Sequence, residues 1–187
     1  MRVTIRPPHP SEYATLGDIV VAGYVAVGAL DGDEGYAAEL RDVAGRVEAA
    51  TVLVAADPVD DRPLGCVTYV PGPGSPLAEG LGVGEASIRM LAVDPGATGR
   101  GAGTALAAAC VDLARAAGRE RLVLHSMPVM TGAQRIYERL GFRHIVERDW
   151  RPLADPDFVL LCFALDLAGG ASPIAGDPGG RPGAVVG

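Results

Sequence analysis

One stretch limits what this chain can become: residues 85–117, EASIRMLAVDPGATGRGAGTALAAACVDLARAA. Residues 87–93 are apolar and partly β-branched, as a buried strand requires. Asp94, Pro95 and Gly96 stop that strand, because proline has no N–H for a ladder and glycine accepts φ > 0. The run Thr98-Gly99-Arg100-Gly101-Ala102-Gly103-Thr104 follows, and an alanine-rich helix begins where the glycines end. Alternating glycines let a ligand approach the backbone closely. The first turn of the helix adds unpaired N–H donors and the positive end of its dipole. A strand, a glycine turn and a helix in this order make an anion site suited to a phosphate or pyrophosphate.

Three glycine-loop classes compete for the stretch. A P-loop needs GxxxxGK[ST], and no Lys-Ser/Thr pair follows these glycines. A dinucleotide-binding turn needs GxGxxG, and Thr104 occupies the outer glycine slot. It also wants an acidic residue at the end of the next strand, whereas Glu120 precedes the strand at 121–126.

The third class matches. Val93-x-Pro95-x-x-Thr98-Gly99-Arg100-Gly101-Ala102-Gly103-Thr104 resembles the acyl-CoA-binding motif of the GNAT superfamily of N-acetyltransferases, V-x-P-x-x-[R/Q]-G-x-G-x-[G/A]. Thr98 stands where the family has Arg or Gln. The resemblance implies that Thr98, Gly99, Arg100, Gly101, Ala102, Gly103 and Thr104 hold the pyrophosphate of acetyl-CoA, with the backbone N–H groups as main donors. It further implies that Leu91, Ala92 and Val93 contact the pantetheine arm and the thioester carbonyl.

The rest of the chain supplies one domain around this unit. It has 187 residues, 49% of them hydrophobic, enough for a core. Its net charge of −7 argues against a general nucleic-acid binder. Cys66, Cys110 and Cys162 lie in separate apolar segments with no CxxC and no histidine at metal-ligand spacing, so they read as buried free thiols and no metal is expected. Residues 1–10 have no apolar signal core, and the apolar run 19–30 is too short to cross a bilayer. A cytoplasmic protein with no membrane contact is the expectation.

In chain order the pattern predicts a strand at 2–6, then a helix from an N-cap at Ser11 carrying Leu16, Ile19, Val20 and Tyr24. A second helix is predicted over 33–49. A hairpin of strands at 51–56 and 64–70 follows, then a 71–84 segment rich in glycine and proline that reads as functional or mobile. The organising strand, glycine turn and helix come next, then a strand at 121–126 that should pair parallel with the organising strand. A short helix at 130–140 ends at Gly141, and strands at 142–150 and 158–167 complete the domain, 1–167. Residues 168–187, dominated by Gly, Pro and Ala, read as a disordered tail.

The order β-α-α-β-β-β-α-β-α-β-β describes a mixed α/β (α+β) domain and excludes a doubly wound Rossmann fold. It is also the order known for GNAT proteins. The resemblance therefore implies a central, mostly antiparallel mixed sheet with one parallel, splayed strand pair.

A second motif, Ala133-x-x-Ile136-Tyr137-x-x-Leu140-Gly141-Phe142, resembles the family pattern N-x-x-A-x-x-[L/F]-Y-x-x-x-G-F, with Met130 in place of the Asn. The resemblance makes Tyr137 the general acid that protonates the departing thiolate, a role that suits a phenol with a pKa of about 10. The reaction implied is direct transfer of the acetyl group of acetyl-CoA to an amine. Many relatives carry a Glu where this chain has Ser87, so Glu85, two residues earlier on the same strand face, is the candidate base, acting through a water. His125 is the other candidate, at the end of the parallel strand. Tyr24, Asp31, Tyr36 and His125 are the candidate acceptor-site residues; acidic and aromatic groups there suit a cationic small-molecule or peptide amine. The competing reading is a catalytically silent acyl-CoA-binding sensor or partner-binding module. The 158–167 strand edge would permit a homodimer.

Overall fold

The computed structural model describes residues 3–30, 32–151 and 158–167. Seven strands form one sheet in the order β1-β2-β3-β4-β5-β7-β6. They are β1 (Thr4–Arg6), β2 (Thr51–Ala56), β3 (Pro63–Val70), β4 (Glu85–Val93), β5 (Arg121–Ser126), β6 (Arg143–His144) and β7 (Leu161–Asp166). Every neighbouring pair is antiparallel except β4 and β5. The helices are α1 (Tyr13–Ala26), α2 (Glu34–Arg41), α3 (Val43–Ala49), α4 (Ala102–Ala116) and α5 (Thr131–Arg139).

Period-2 alternation in the strands separates two cores. Val52, Val54 and Ala56 of β2 pack under α1, α2 and α3 with Leu16, Val20, Leu40 and Val43. Leu53 and Ala55 face the opposite core, where Leu106, Cys110 and Ala114 of α4 meet Tyr137 and Phe142. The three cysteines are buried and unpaired, as expected from sequence. Burial pushes their thiols up, to about 11 for Cys66 and Cys162 and about 12 for Cys110, so they stay neutral and pack as small apolar groups.

Four expected elements differ in detail. The helix predicted over 33–49 is two helices, because Asp42 leaves helical geometry (φ −75°, ψ 72°) and its carboxylate accepts the Gly45 N–H at 2.9 Å. An Asp that hydrogen-bonds its own backbone is a better cap than helix interior. Ser11 is not the cap of α1; it lies inside a 3-10 turn, Pro10–Glu12, that leads into the helix. The strand predicted at 142–150 is only β6, followed by a 3-10 turn (Val146–Arg148) and a single bridge between Trp150 and Leu160. The 71–84 segment is pinned at several points: Ser75 donates to Ala49 O (2.8 Å), Arg89 to Leu77 O (3.0 Å) and Arg148 to Gly80 O (3.2 Å). Asp31 and the 168–187 tail lie outside the described residues.

β4 is irregular at one place. Cys66 pairs with Ala92 and Thr68 with Arg89, so Val67 faces two residues, Met90 and Leu91. Met90 takes φ 50°, a left-handed conformation for a non-glycine. This bulge slips the alternation: Ala86 and Ile88 face the α4 core before it, and Leu91 and Val93 after it. Met90 and Ala92 turn to the α1 core.

Candidate active site

The glycine turn sits where β4 ends and α4 begins. Asp94 accepts the Gly96 N–H at 3.0 Å and starts a 3-10 turn over Pro95–Ala97, which reverses the chain. Gly99 (φ 79°) and Gly101 (φ 83°) both lie in the left-handed region, and a Cβ on either would meet no atom within 4 Å. The loop surface there is open to a ligand. Gly103 differs: its Cβ would come within 3.1 Å of Ile136 Cδ1 and 3.5 Å of Val93 Cγ2, so this glycine lets α5 approach α4. Ala105 N–H bonds Gly101 O at 3.0 Å, and the three donors before it, on Ala102, Gly103 and Thr104, have no acceptor within the helix. They form an anion cradle with the open glycines.

Two side chains of the cradle are engaged elsewhere. The Thr98 hydroxyl donates to Pro95 O, and Arg100 Nη2 bonds Asp57 Oδ2 at 2.6 Å. The backbone therefore carries the cradle's donors.

Beyond the cradle the sheet opens. The parallel ladder between β4 and β5 runs from Glu85↔Arg121 to Ile88↔Leu124 and stops. From the next residues, Arg89 and His125, the strands diverge, and the bulge at Met90 turns β4 away. The gap lies between the cradle on one side and a cavity on the other.

Tyr137 is packed in the α4-side core, in the same cluster as Ile88 and Leu124, the last paired residues before the gap. Its ring lies 5.8 Å from Phe142 and 6.4 Å from Phe163. Burial, and secondarily Cys110, push its phenol up, so it stays protonated at neutral pH.

The cavity on the α1 side encloses about 100 Å³. Its floor is β4 and β5, with Ser87, Arg89, Met90 and His125. Tyr24 and Tyr36, with rings in edge contact at 6.1 Å, and Glu39 form one wall. Leu77, Glu79 and Leu81 of the 71–84 segment form another, and Trp150 and Leu160 a third. Burial, then the charge of Arg148, hold His125 below the ordinary imidazole value, against a backbone hydrogen bond at Arg148 that raises it. It is neutral at pH 7. Burial pushes the Glu39 carboxyl up.

The structure thus brings Tyr24, Tyr36 and His125 to one cavity. It does not bring Glu85 there. Glu85 accepts two bonds from Arg148, at 2.6 and 2.9 Å, and one from the Gly82 N–H at 3.0 Å, with Arg121 at 3.7 Å. Burial raises this carboxyl, but Arg148 and the Gly82 N–H outweigh it and hold it below the usual carboxylate range. A carboxylate so engaged is a poor proton acceptor; it anchors the Val146–Arg148 turn to β4. Glu39, Arg89 and Trp150 are cavity residues that the sequence reading missed, while Glu79 falls within the 71–84 segment that it read as functional or mobile. Glu39 was findable, because it falls three residues after Tyr36 and so on the same helix face.

A strand that parts from its parallel neighbour beside a backbone anion cradle, with a buried phenol behind the gap, defines the acetyltransferase class of fold. The profile of the Acetyltransferase (GNAT) family matches residues 29–142, and the chain belongs to that family. The fold is shared with solved structures. A GNAT-family acetyltransferase from Staphylococcus aureus Mu50 is 13% identical with a TM-score of 0.68, over 89% of this chain and all (100%) of that one. One from Brucella melitensis, in complex with acetyl-CoA, is 23% identical with a TM-score of 0.59, over 94% of each chain. The ribosomal-protein-S18-alanine N-acetyltransferase from Escherichia coli is 18% identical with a TM-score of 0.64, over 92% of this chain and 99% of that one. No curated protein sequence matches this chain. Among the described residues there is no His/Cys/Asp/Glu group that could hold a metal ion, and no helix long and apolar enough to cross a membrane.

Proposed function

We propose that this chain transfers the acetyl group of acetyl-CoA directly to an amine. The observation that carries the reading is the gap between β4 and β5, whose residues Ile88, Arg89, Leu124 and His125 line the α1-side cavity. Acetyl-CoA would lay its pyrophosphate on the N–H groups of residues 99–104 and its pantetheine arm along Leu91, Ala92 and Val93. The thioester then faces the cavity at the Met90 bulge.

The residues divide the work. A neutral amine in the cavity attacks the thioester carbonyl; the C–N bond forms, the C–S bond breaks, and one proton leaves the nitrogen while the sulfur gains one. His125, uncharged and on the cavity floor, accepts the proton from nitrogen. A backbone N–H of β4, freed from β5 past Ile88, stabilises the negative charge on the carbonyl oxygen. Tyr137 donates its O–H to the departing sulfur. A phenol is a weaker acid than a thiol, at about 10 against about 8.5, so its main service is a hydrogen bond to the developing thiolate. Burial raises the phenol and a thiol beside it alike, so the mismatch between them stays. The three buried thiols fit a reducing, cytoplasmic setting.

The test is release of free thiol from acetyl-CoA in the presence of a panel of primary amines, with a thermal shift to report cofactor binding. Thiol release that needs an amine and collapses in Tyr137→Phe, with the acetyl-CoA shift retained, supports the reading. Binding without turnover for any amine would favour a silent acyl-CoA sensor.

A further inference from the structure

An ion pair crosses the sheet beside the cavity. Ala86 and Ile88 face the α4 core, so Glu85 and Ser87 of β4 face α1, as do Val123 and His125 of β5. The Val146–Arg148 turn lies over this face. On one side it is tied to β7, where the Ile145 N–H donates to Cys162 O at 2.8 Å and Asp149 accepts the Cys162 N–H at 2.9 Å. On the other it is tied to β4 by the fork of Arg148, Nη1 to Glu85 Oε1 at 2.6 Å and Nη2 to Glu85 Oε2 at 2.9 Å. Strand β5 runs between β4 and β7, and there the turn meets His125. The Arg148 main chain and the His125 ring share a hydrogen bond that favours the charged imidazole, so a ring N–H donates and the carbonyl accepts. Glu85 pairs with Arg121, four residues before His125 and about 13 Å away along the strand, so the carboxylate does not touch the ring. Arg148 connects them.

We propose that Glu85 and Arg148 are positioning residues for His125: they hold the Arg148 carbonyl against one ring nitrogen, so that the other, bare of hydrogen, faces the cavity. The proposal rests on the reading that His125 takes the proton from the acceptor amine, and adds what prepares it to do so. A neutral imidazole has two tautomers, and only the one with its lone pair toward the amine acts as base. The carbonyl selects that tautomer, because it accepts a hydrogen and has none to give. The guanidinium keeps the same ring uncharged. Burial comes first in opposing protonation of His125, the charge of Arg148 second, and that charge outweighs the Arg148 carbonyl. Arg89 of β4 opposes protonation too, while paired with Glu79, and Asp149 favours it. Glu39, Tyr24 and Tyr36 line the cavity from α1 and α2, and Arg46 of α3 lies behind Met90. Cys162, beside His125 in the ladder, stays neutral. A forked pair suits the task. A buried ion pair adds little net stability over apolar packing, but two parallel bonds fix both distance and angle.

Ring-nitrogen NMR of the full chain, made with isotopically labelled histidine, reads the tautomer directly. Only His9 and His144 contribute besides His125, and His125→Asn identifies its signals. In wild type at neutral pH, His125 should show one protonated and one bare nitrogen. In Arg148→Met and in Glu85→Gln the two should move toward a common average. The midpoint of the His125 titration should rise in Arg148→Met, which removes the charge, and return toward wild type in Arg148→Lys, which keeps it. With acetyl-CoA and a primary amine, kcat for thiol release should fall roughly ten- to hundredfold in Arg148→Met and Glu85→Gln, with the acetyl-CoA thermal shift retained. Arg148→Lys should recover part of that loss. A single tautomer in wild type and variants alike, or an unchanged midpoint in Arg148→Met, would overturn the proposal and leave amine acetylation intact. So would a fall in kcat with the ring signals unmoved, which marks a merely structural pair. Thiol release that persists in His125→Asn would overturn it as well. No thiol release from any amine, with the acetyl-CoA thermal shift present, would overturn the transferase reading and the proposal with it.

Discussion

Helix α4 carries a left-handed glycine at each end, which separates backbone strain from ligand contact. Gly101 (φ 83°) precedes the helix and Gly118 (φ 64°) follows it, and a Cβ on either would meet no atom within 4 Å. Alanine at each position therefore costs only the left-handed conformation, about 1–2 kcal/mol. For a chain of this size that is a melting-point loss of roughly 2–8 °C. The 15-residue helix between the two sites is about 22 Å long, so only one of them can touch a pyrophosphate in the cradle. In Gly101→Ala a methyl group projects into the space the phosphate would fill and weakens at least one N–H bond to a charged oxygen. Such a bond is worth about 1.5–3 kcal/mol, or roughly ten- to hundredfold in affinity. Calorimetric titration of acetyl-CoA, well below both melting points, should show that loss for Gly101→Ala and wild-type affinity for Gly118→Ala. Equal weakening in both variants, or none in Gly101→Ala, would refute the placement of the pyrophosphate.

Three further outcomes are expected. Tyr137→Phe should lower kcat roughly ten- to hundredfold, the worth of one hydrogen bond to a developing charge, with little change in the acetyl-CoA dissociation constant, read from steady-state and binding data side by side. Glu85→Gln should lower stability by about 1–3 kcal/mol at pH 7, measured by urea unfolding. Because the folded carboxyl is held below its unfolded value of about 4.3, that contribution is present above this pH and is lost as the pH falls through the folded value. The two unfolding curves should thus converge on acidification; a constant difference would mean that Glu85 acts through packing alone. Asp57→Asn removes a carboxylate that binds Arg100 beside the cradle and should tighten acetyl-CoA binding at an ionic strength of about 0.01 M but not at about 1 M.

Local chemistry made the glycine turn legible in the sequence. Gly99 and Gly101 occupy positive φ that other residues avoid, so their places in the chain announce the turn directly. The order of elements was legible too, because hydrophobic periodicity and Gly/Pro stops are short-range signals. The bulge was not. Met90 has no preference for φ 50°, and it is held there by the register between β3 and β4 and by packing on Arg46, whose Nη1 lies 3.2 Å from its sulfur. Glu85 misled because strand alternation predicts which face a side chain takes but not its partner, and Arg148 is 63 residues away. The cavity drew its walls from α2, the 71–84 segment, and the bridge between Trp150 and Leu160. Only folding brings these together, so Arg89 and Trp150 had no signal of their own, and Glu79 had only that of its glycine- and proline-rich segment.

The position of β7 has a consequence for synthesis on the ribosome. This strand comes late in the chain yet sits inside the sheet, between β5 and β6, and pairs His125 with Cys162. When β5 leaves the ribosome, its outer row of backbone donors and acceptors has no partner until residue 166 follows. At about 5–20 residues per second that wait is roughly 2–8 s. Throughout it, one apolar strand edge stands open to pairing with another nascent chain. The vectorial order of translation therefore completes the glycine turn well before the β5 edge beside it is covered by β7.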